Sequence, residues 1–272
     1  MPLIILFSII IAAIVLWYAR KQLRISKRLK LSNKPLQADA IAILEKNVSI
    51  YNLLSDELKH ELRGYINIFL DEKKFYGHDG IQIDDVIRLT VAGNACLLLL
   101  QGNKNYFPGF TSILIYPDTY VAQQTTHESG LATQDVSVRA GESWMRGPVI
   151  LSWADVVRGN DHPGDGHNVV IHEFAHKLDE QDGVMDGMPV LRDKSQYAEW
   201  TNILSAEYVS LQERVKQGKN KVMDAYGTVS PAEFFAVATE SFFEKPVLMK
   251  KRLPKLYDQL QKFYNIDPAA WH

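Results

Sequence analysis

The sequence predicts an α+β domain, mostly helical with a small mixed sheet, preceded by one N-terminal transmembrane helix. Three observations predict it. Residues 2–19 form an uncharged apolar run. Short β-branched and aromatic runs are confined to the middle of the chain, with helical periodicity on both sides. The composition is that of ordinary globular material: 272 residues, 46% hydrophobic, 23% charged. This supports a sizeable core and excludes disordered, collagen-like and disulfide-scaffold classes. The expected organisation is an anchor at 2–19, a basic juxtamembrane segment at 20–34, and a folded body at 35–272.

The anchor comes first. Residues 2–19, PLIILFSIIIAAIVLWYA, carry no charge and one hydroxyl. Eighteen helical residues span about 27 Å, close to the lower limit for crossing a bilayer. Trp17 and Tyr18 close the run at the depth of an interfacial aromatic belt. The cluster RKQLRISKRLK comes at once after it. The positive-inside rule then puts the N-terminus outside and the body in the cytoplasm, as a single-pass protein of a bacterial inner membrane. The cluster also suits anionic lipid headgroups. A cleaved signal peptide would carry its positive charge before the apolar run and a small-x-small site after it, and this chain has neither.

Charge is divided unevenly. Residues 1–34 hold seven cations and no acid, so a chain of net charge −2 leaves −9 on the body. An acidic body gives no case for direct nucleic-acid binding. Cys96, the single cysteine, lies in the run Ala95–Leu100 and reads as a buried, inert thiol.

Along the body, residues 35–50 read as a helical linker set off by Pro35. Ser55 reads as the N-cap of a helix over 56–72, whose Leu58, Leu62, Ile66, Phe69 and Leu70 recur at helical spacing. Tyr76–Gly80 reads as a turn, and Asp84–Leu100 as a buried helix. Strands are expected at Ser112–Tyr116, Tyr120–Gln123, Val136–Arg139 and Val149–Ser152. Helices are expected at 168–180, 193–217, 231–244 and 254–264.

The motif that carries chemistry is His172-Glu173-Phe174-Ala175-His176. On a helix, His172 and His176 lie one turn apart and point the same way, so two imidazoles can hold one Zn²⁺. Glu173 flanks that face as a general base. A purely structural zinc site has no use for such a base. A third protein ligand is needed. Asp182 has metzincin-like spacing but lacks the glycine turn that geometry requires, and Asp179 reads better as an acceptor for a ligand imidazole N–H. Glu233 and Glu240, seven residues apart on one face of an apolar helix, are the stronger candidates. Glu233 also completes the pattern Ser230-Pro231-Ala232-Glu233, which capping alone would explain.

The pair His172–Asp179 and Tyr226-Gly227-x5-Glu233-Phe234-Phe235-Ala236 resembles the Mlc titration factor A family of zinc metallopeptidases. It is more distantly similar to the catalytic domain of anthrax lethal factor. The resemblance extends to Ala95–Leu100 and to Gly141-Glu142-Ser143-Trp144-x-x-Gly147-Pro148-Val149-Ile150-Leu151-Ser152-Trp153. It implies a zincin-like, gluzincin fold, one zinc per chain and Glu233 as third ligand. It also implies Tyr226 as the phenol that stabilises the oxyanion, and His127, His162 or His167 as a histidine capping the metal in a resting state.

The resulting expectation is a membrane-anchored, cytoplasm-facing zinc peptidase, an aminopeptidase or an endopeptidase, acting on a peptide or protein substrate. A transcription regulator of the Mlc type is an implied partner, and the alternative is a binding protein that sequesters such a repressor. Val149–Ser152, preceded by Pro148, is expected at a sheet edge where substrate could pair as an added strand. The polar stretch Arg158–His167 is expected to be a mobile loop gating the cleft.

Overall fold

The computed structural model describes residues 2–102, 106–118, 120–128, 131–139, 141–143 and 147–272. Helix α1 (Pro2–Ser32) runs without interruption through both the apolar run and the basic cluster. Helices α2 (Ala38–Asn47) and α3 (Ser49–Leu53) come next. The expected linker is therefore part of the body: Leu44, Val48, Ile50, Tyr51 and Leu54 are core residues. Helix α4 (Asp56–Glu72) has the expected cap, with the Ser55 side chain accepting from the Leu58 N–H.

Strand β1 (Lys74–Gly77) takes in Tyr76 and Gly77, the first two residues of the stretch expected to be a turn. The turn begins at His78, whose carbonyl accepts from the Ile81 N–H at 3.1 Å. Gly77 has no room for a side chain, since a Cβ there would meet the Ile81 carbonyl oxygen. Helix α5 (Asp85–Leu97), capped by Asp84, ends three residues before the expected boundary. Leu98–Leu100 continue as buried turns. Cys96 is fully buried, and burial pushes its thiol well above the ordinary range.

The strands β2 (Ser112–Tyr116), β3 (Tyr120–Glu128), β4 (Leu131–Arg139), β5 (Gly141–Ser143) and β6 (Val149–Ser152) form two sheets. One is ordered β1-β2-β6-β5, the other is the hairpin β3-β4. β1, β2 and β6 are parallel, and β5 is antiparallel to β6, so the main sheet is mixed. β3 and β4 pair along nine residues each, longer than expected.

β6 corrects the edge-strand expectation. It pairs with β2 through Ile113↔Val149 to Tyr116↔Ser152, and with β5 through Gly141↔Leu151 to Ser143↔Val149. Its four side chains are buried on both faces, as parallel interior strands are. Pro148 lies just before the ladder and so removes no hydrogen bond from it.

Helix α6 (Trp153–Asp161), capped by Ser152, occupies the first part of the stretch expected to be a mobile loop. The segment after α6 is pinned: Glu244 accepts from the Gly164 N–H at 3.0 Å. The remaining helices are α7 (Val169–Asp179), α8 (Tyr197–Lys216), α9 (Pro231–Glu244), α10 (Pro246–Arg252) and α11 (Pro254–Tyr264). Of these, α10 has no counterpart among the expected helices. Proline opens α9, α10 and α11 at the position where a missing N–H costs nothing. α7 and α9 pack against each other, and α7 also packs on β5 and β6. Phe174 of α7 sits among Phe69, Phe107 and Phe110.

Candidate metal centre

Asn168 starts the site. Its side chain accepts from the Ile171 N–H at 3.1 Å and so caps α7. Asn168 Nδ2 donates to Asn94 Oδ1 at 3.0 Å and to Glu244 Oε1 at 3.1 Å. Its backbone N–H donates to Glu240 Oε2 at 2.7 Å. The helix N-terminus is thereby fixed to α5 and α9 by buried, satisfied polar groups. At the other end, fully buried Lys177 donates to Glu180 Oε1 at 2.9 Å and to the Gly147 carbonyl at 3.2 Å, which ties α7 to the approach of β6.

Between these ties, His172 and His176 point towards α9. His172 Nε2 lies 2.9 Å from Glu233 Oε2, His176 Nε2 lies 3.3 Å from the same oxygen, and the two Nε2 atoms are 3.2 Å apart. A tetrahedral zinc with nitrogen and oxygen ligands at 2.0–2.1 Å has ligand-to-ligand edges of about 3.3 Å. The triangle of Nε2, Nε2 and Oε2 matches one face of that tetrahedron. Among the described residues, these three form the cluster of metal-ligating side chains able to hold an ion.

Glu240 decides the ring orientation. Its Oε1 lies 2.8 Å from His172 Nδ1. An imidazole donating from Nδ1 presents the lone pair of Nε2 to a metal. Glu240 thus stands behind His172, on its Nδ1 side, and Glu233 stands in the cluster on the Nε2 side. Glu233 also answers the capping question: its backbone N–H donates to Ser230 Oγ at 3.2 Å, but its carboxylate turns to the histidines instead of back to Ser230.

The electrostatics favour a cation. Burial opposes a charged His172, but Glu240, Glu233 and Glu173 overcome it and raise its pKa well above the usual imidazole value. Burial opposes the Glu233 anion too, yet hydrogen bonds from both histidines hold it far below the usual carboxylate range. Glu173 is pushed up to about 8 by burial, with His172 pulling the other way. Its Oε2 is buried with no hydrogen-bond partner. An unsatisfied buried carboxylate oxygen beside three converging donor groups is costly unless the site also holds something for it to bond.

Tyr226 sits on a short 3₁₀ turn, Ala225–Thr228, started by Asp224, whose side chain accepts from the Tyr226 N–H at 2.7 Å. Its ring centroid is 5.9 Å from that of His172, and it is 49% exposed.

Other candidates are placed elsewhere. Asp179 does not bond a ligand imidazole: its Oδ2 accepts from the Gly187 N–H at 2.8 Å and its Oδ1 has no partner. Asp182 accepts from the Val184 N–H, outside the cluster. His162 Nδ1 lies 3.1 Å from the Arg158 carbonyl, and His167 faces Asp224 at 3.8 Å, so neither caps the triad. The side chain of His127 lies outside the described residues. Sequence reasoning missed Asn94, Asn168 and Glu244. Asn168 was legible as a cap before an apolar run, and Glu244 as one turn beyond Glu240 on a buried helix; Asn94 gave no signal.

A family match decides what kind of protein carries this arrangement. The family described as glucose-regulated metallo-peptidase M90 matches residues 20–265. The chain belongs to that family. Its relatives include an uncharacterized Synechocystis protein, 38% identical over 88% of both chains. Mlc titration factor A of Cronobacter sakazakii is 34% identical over 79% of this chain and 82% of its own. Mlc titration factor A of Escherichia coli is 32% identical over 82% and 84%. The expected resemblance is thus confirmed. M90 membership makes the chain a metallopeptidase by family, and an implied metal has a site of matching donors in His172, His176 and Glu233.

Proposed function

We propose that this chain is a zinc-dependent peptidase of zincin-like fold, anchored in a bacterial inner membrane by residues 2–19 with its body facing the cytoplasm. The observation that carries the reading is the triangle of His172, His176 and Glu233 with the buried, partnerless Oε2 of Glu173 beside it. A zinc ion held by these three side chains supplies Lewis-acid polarisation of a peptide carbonyl and acidification of a water.

The chain's own groups do the rest. Glu173 takes the proton of the attacking water and passes it to the leaving amine, which suits a carboxyl whose burial pushes its pKa to about 8. The Tyr226 hydroxyl donates to the negative charge growing on the attacked carbonyl oxygen. Glu240 holds His172 in the ligating tautomer. The substrate is a peptide or protein segment. β5, which among the described residues pairs only with β6, offers the strand edge beside α7 on which such a segment could extend.

Metal analysis of the purified full chain in detergent, combined with hydrolysis of a peptide library, tests the reading. About one zinc per chain and metal-dependent cleavage are expected. Metal-free protein after loading with zinc, or cleavage untouched by chelation, would overturn it.

A second reading has its own support in the name of the relatives, Mlc titration factor A: the chain binds and sequesters a transcription repressor of that type, with peptidase activity incidental. Glu173→Gln separates the two, since a cellular effect that survives the substitution belongs to binding.

A further inference from the structure

The apolar segment of α1 ends near residue 19, but the helix continues to Ser32 and its last turns are fastened to α4. Arg28 makes a two-pronged contact with Glu72, Nε to Oε1 at 2.7 Å and Nη2 to Oε2 at 2.8 Å. Its guanidinium also lies 4.3 Å from the centre of the Tyr106 ring. Lys27 pairs with Asp71 at 2.6 Å. Asn67 donates to the carbonyls of Leu31 at 3.2 Å and Lys34 at 2.7 Å, closing the end of α1. At Gly64 the helices are so close that a Cβ would lie 2.9 Å from the Ser32 carbonyl oxygen.

These contacts are of the kind that hold geometry. The Arg28–Glu72 pair is bidentate and only 23% and 25% exposed, unlike a solvated surface pair. The family match begins at residue 20, so the clamped segment is part of the M90 body. Residues 5–18, in contrast, are exposed throughout. Arg20 and Arg24 lie on the same helical stripe as Lys27 and Arg28. The side of α1 that carries the body is therefore also the side that presents cations next to the apolar run.

We propose that α1 and the peptidase body form one rigid unit, so that the bilayer holds the metal cleft at a fixed height and orientation. A flexible linker of 13 residues would wander by about 20 Å in any direction. The same 13 residues as helix, Arg20 to Ser32, give a fixed offset of about 20 Å. The substrates selected are then segments presented within a narrow band of distance from the membrane surface. Arg20, Lys21 and Arg24 meet anionic headgroups while Lys27 and Arg28 remain engaged with α4. This rests on the reading of residues 2–19 as a membrane anchor.

The test uses the full chain in vesicles of phosphatidylcholine and phosphatidylglycerol, with spin labels at Q22C and H60C, both exposed positions; Cys96 is buried and stays in place. A single narrow distance distribution is expected. Gly64→Leu combined with Glu72→Gln should broaden it roughly twofold while zinc content and cleavage of a short soluble peptide stay unchanged. Peptides tethered to lipid through spacers of graded length should be cut best at one length by the native chain and without preference by the double variant. A broad distribution in the native chain, a variant as narrow as the native, or no spacer preference in the native chain overturns the rigid mounting while leaving the anchor intact. A chain that fails to float with vesicles overturns the anchor reading, and the mounting with it.

Discussion

Helix α7 and the first half of α1 are both written in Val, Ile, Leu and aromatic residues, yet they end in opposite environments. Val170, Ile171, Phe174 and Leu178 of α7 are at most 1% exposed. Ile9, Ile14 and Trp17 of α1 are 60%, 58% and 63% exposed. The difference is what each helix is given to pack against. α7 lies between α9 and the sheet. The described side chains of the apolar part of α1 are exposed, and the helix is long and apolar enough to cross a membrane. Apolar surface of that extent needs a non-aqueous neighbour. For α7 the protein supplies it; for α1, on the proposed reading, a bilayer does. On the proposed reading the same comparison separates chemistry from placement: α7 carries what the protein does, and α1 where it does it.

The sharpest way to break this comparison is at α7. Glu173→Gln should lower peptide hydrolysis by about 10²- to 10⁴-fold, the usual contribution of a positioned proton carrier. Zinc content should be unchanged, because no ligand is touched. Activity close to native would remove Glu173 from the mechanism.

Next in size come the two carboxylates of α9. Glu233→Ala removes a ligand, and zinc affinity measured by chelator competition should collapse. Glu240→Ala leaves the ligand set intact and frees the His172 ring, a change worth about 10- to 100-fold in affinity. The reverse order would make Glu240 the ligand and reduce Glu233 to the residue that follows a helix cap.

At α1 the expected effect is on location. Deleting residues 2–19 should move the chain from the membrane fraction to the soluble fraction. The body should melt within about 2 °C of its native value, since the lost side chains support nothing in the core. A large loss of stability would mean that the apolar helix is packed on protein after all.

The smallest effect is a pH dependence behind the site. Burial pushes the Asp179 carboxyl up to about 7, against the Gly187 N–H that favours its anion. The folded chain then holds a proton that the unfolded chain has already lost between about pH 4 and 7. The contribution of Asp179 is therefore fully present below about pH 4 and fades as pH rises to 7. In metal-stripped protein, Asp179→Asn should gain on the native chain in thermal melts as pH goes from 5 to 7.5. A constant difference across that range would place the Asp179 pKa near its ordinary value.

Several elements are legible in the sequence alone, each for a local reason. Ser55 and the repeat of Leu58, Leu62, Ile66 and Phe69 specify α4 by capping and period. His172 and His176 must share a face because the helix has 3.6 residues per turn. The apolar run 2–19 announces itself by length and charge. Elements that failed were those decided at a distance. Val149–Ser152 reads as an edge from Pro148 but becomes interior because β2 and β5 close on both of its sides. The stretch after Arg158 reads as a mobile loop from its Gly and Asp content, yet Glu244, 80 residues beyond Gly164, fastens it.

By itself, then, the sequence determined which side chains could meet a metal and which segment is long and apolar enough to cross a membrane. Both are questions of local spacing and composition. Only the tertiary structure shows which of Glu233 and Glu240 stands with both histidines in a cluster able to hold an ion. Both glutamates lie on one face of α9, so helical period alone treats them alike, and the capping pattern at Ser230 offers Glu233 a second explanation. The packing of α9 on α7 places Glu233 at the Nε2 side of His172 and Glu240 at its Nδ1 side. It was likewise the approach of α4 to α1, through Gly64, Asn67 and Glu72, that made the basic segment part of the body. A contact between residues 44 positions apart leaves no periodic trace in either segment, because each of them is already a good helix alone.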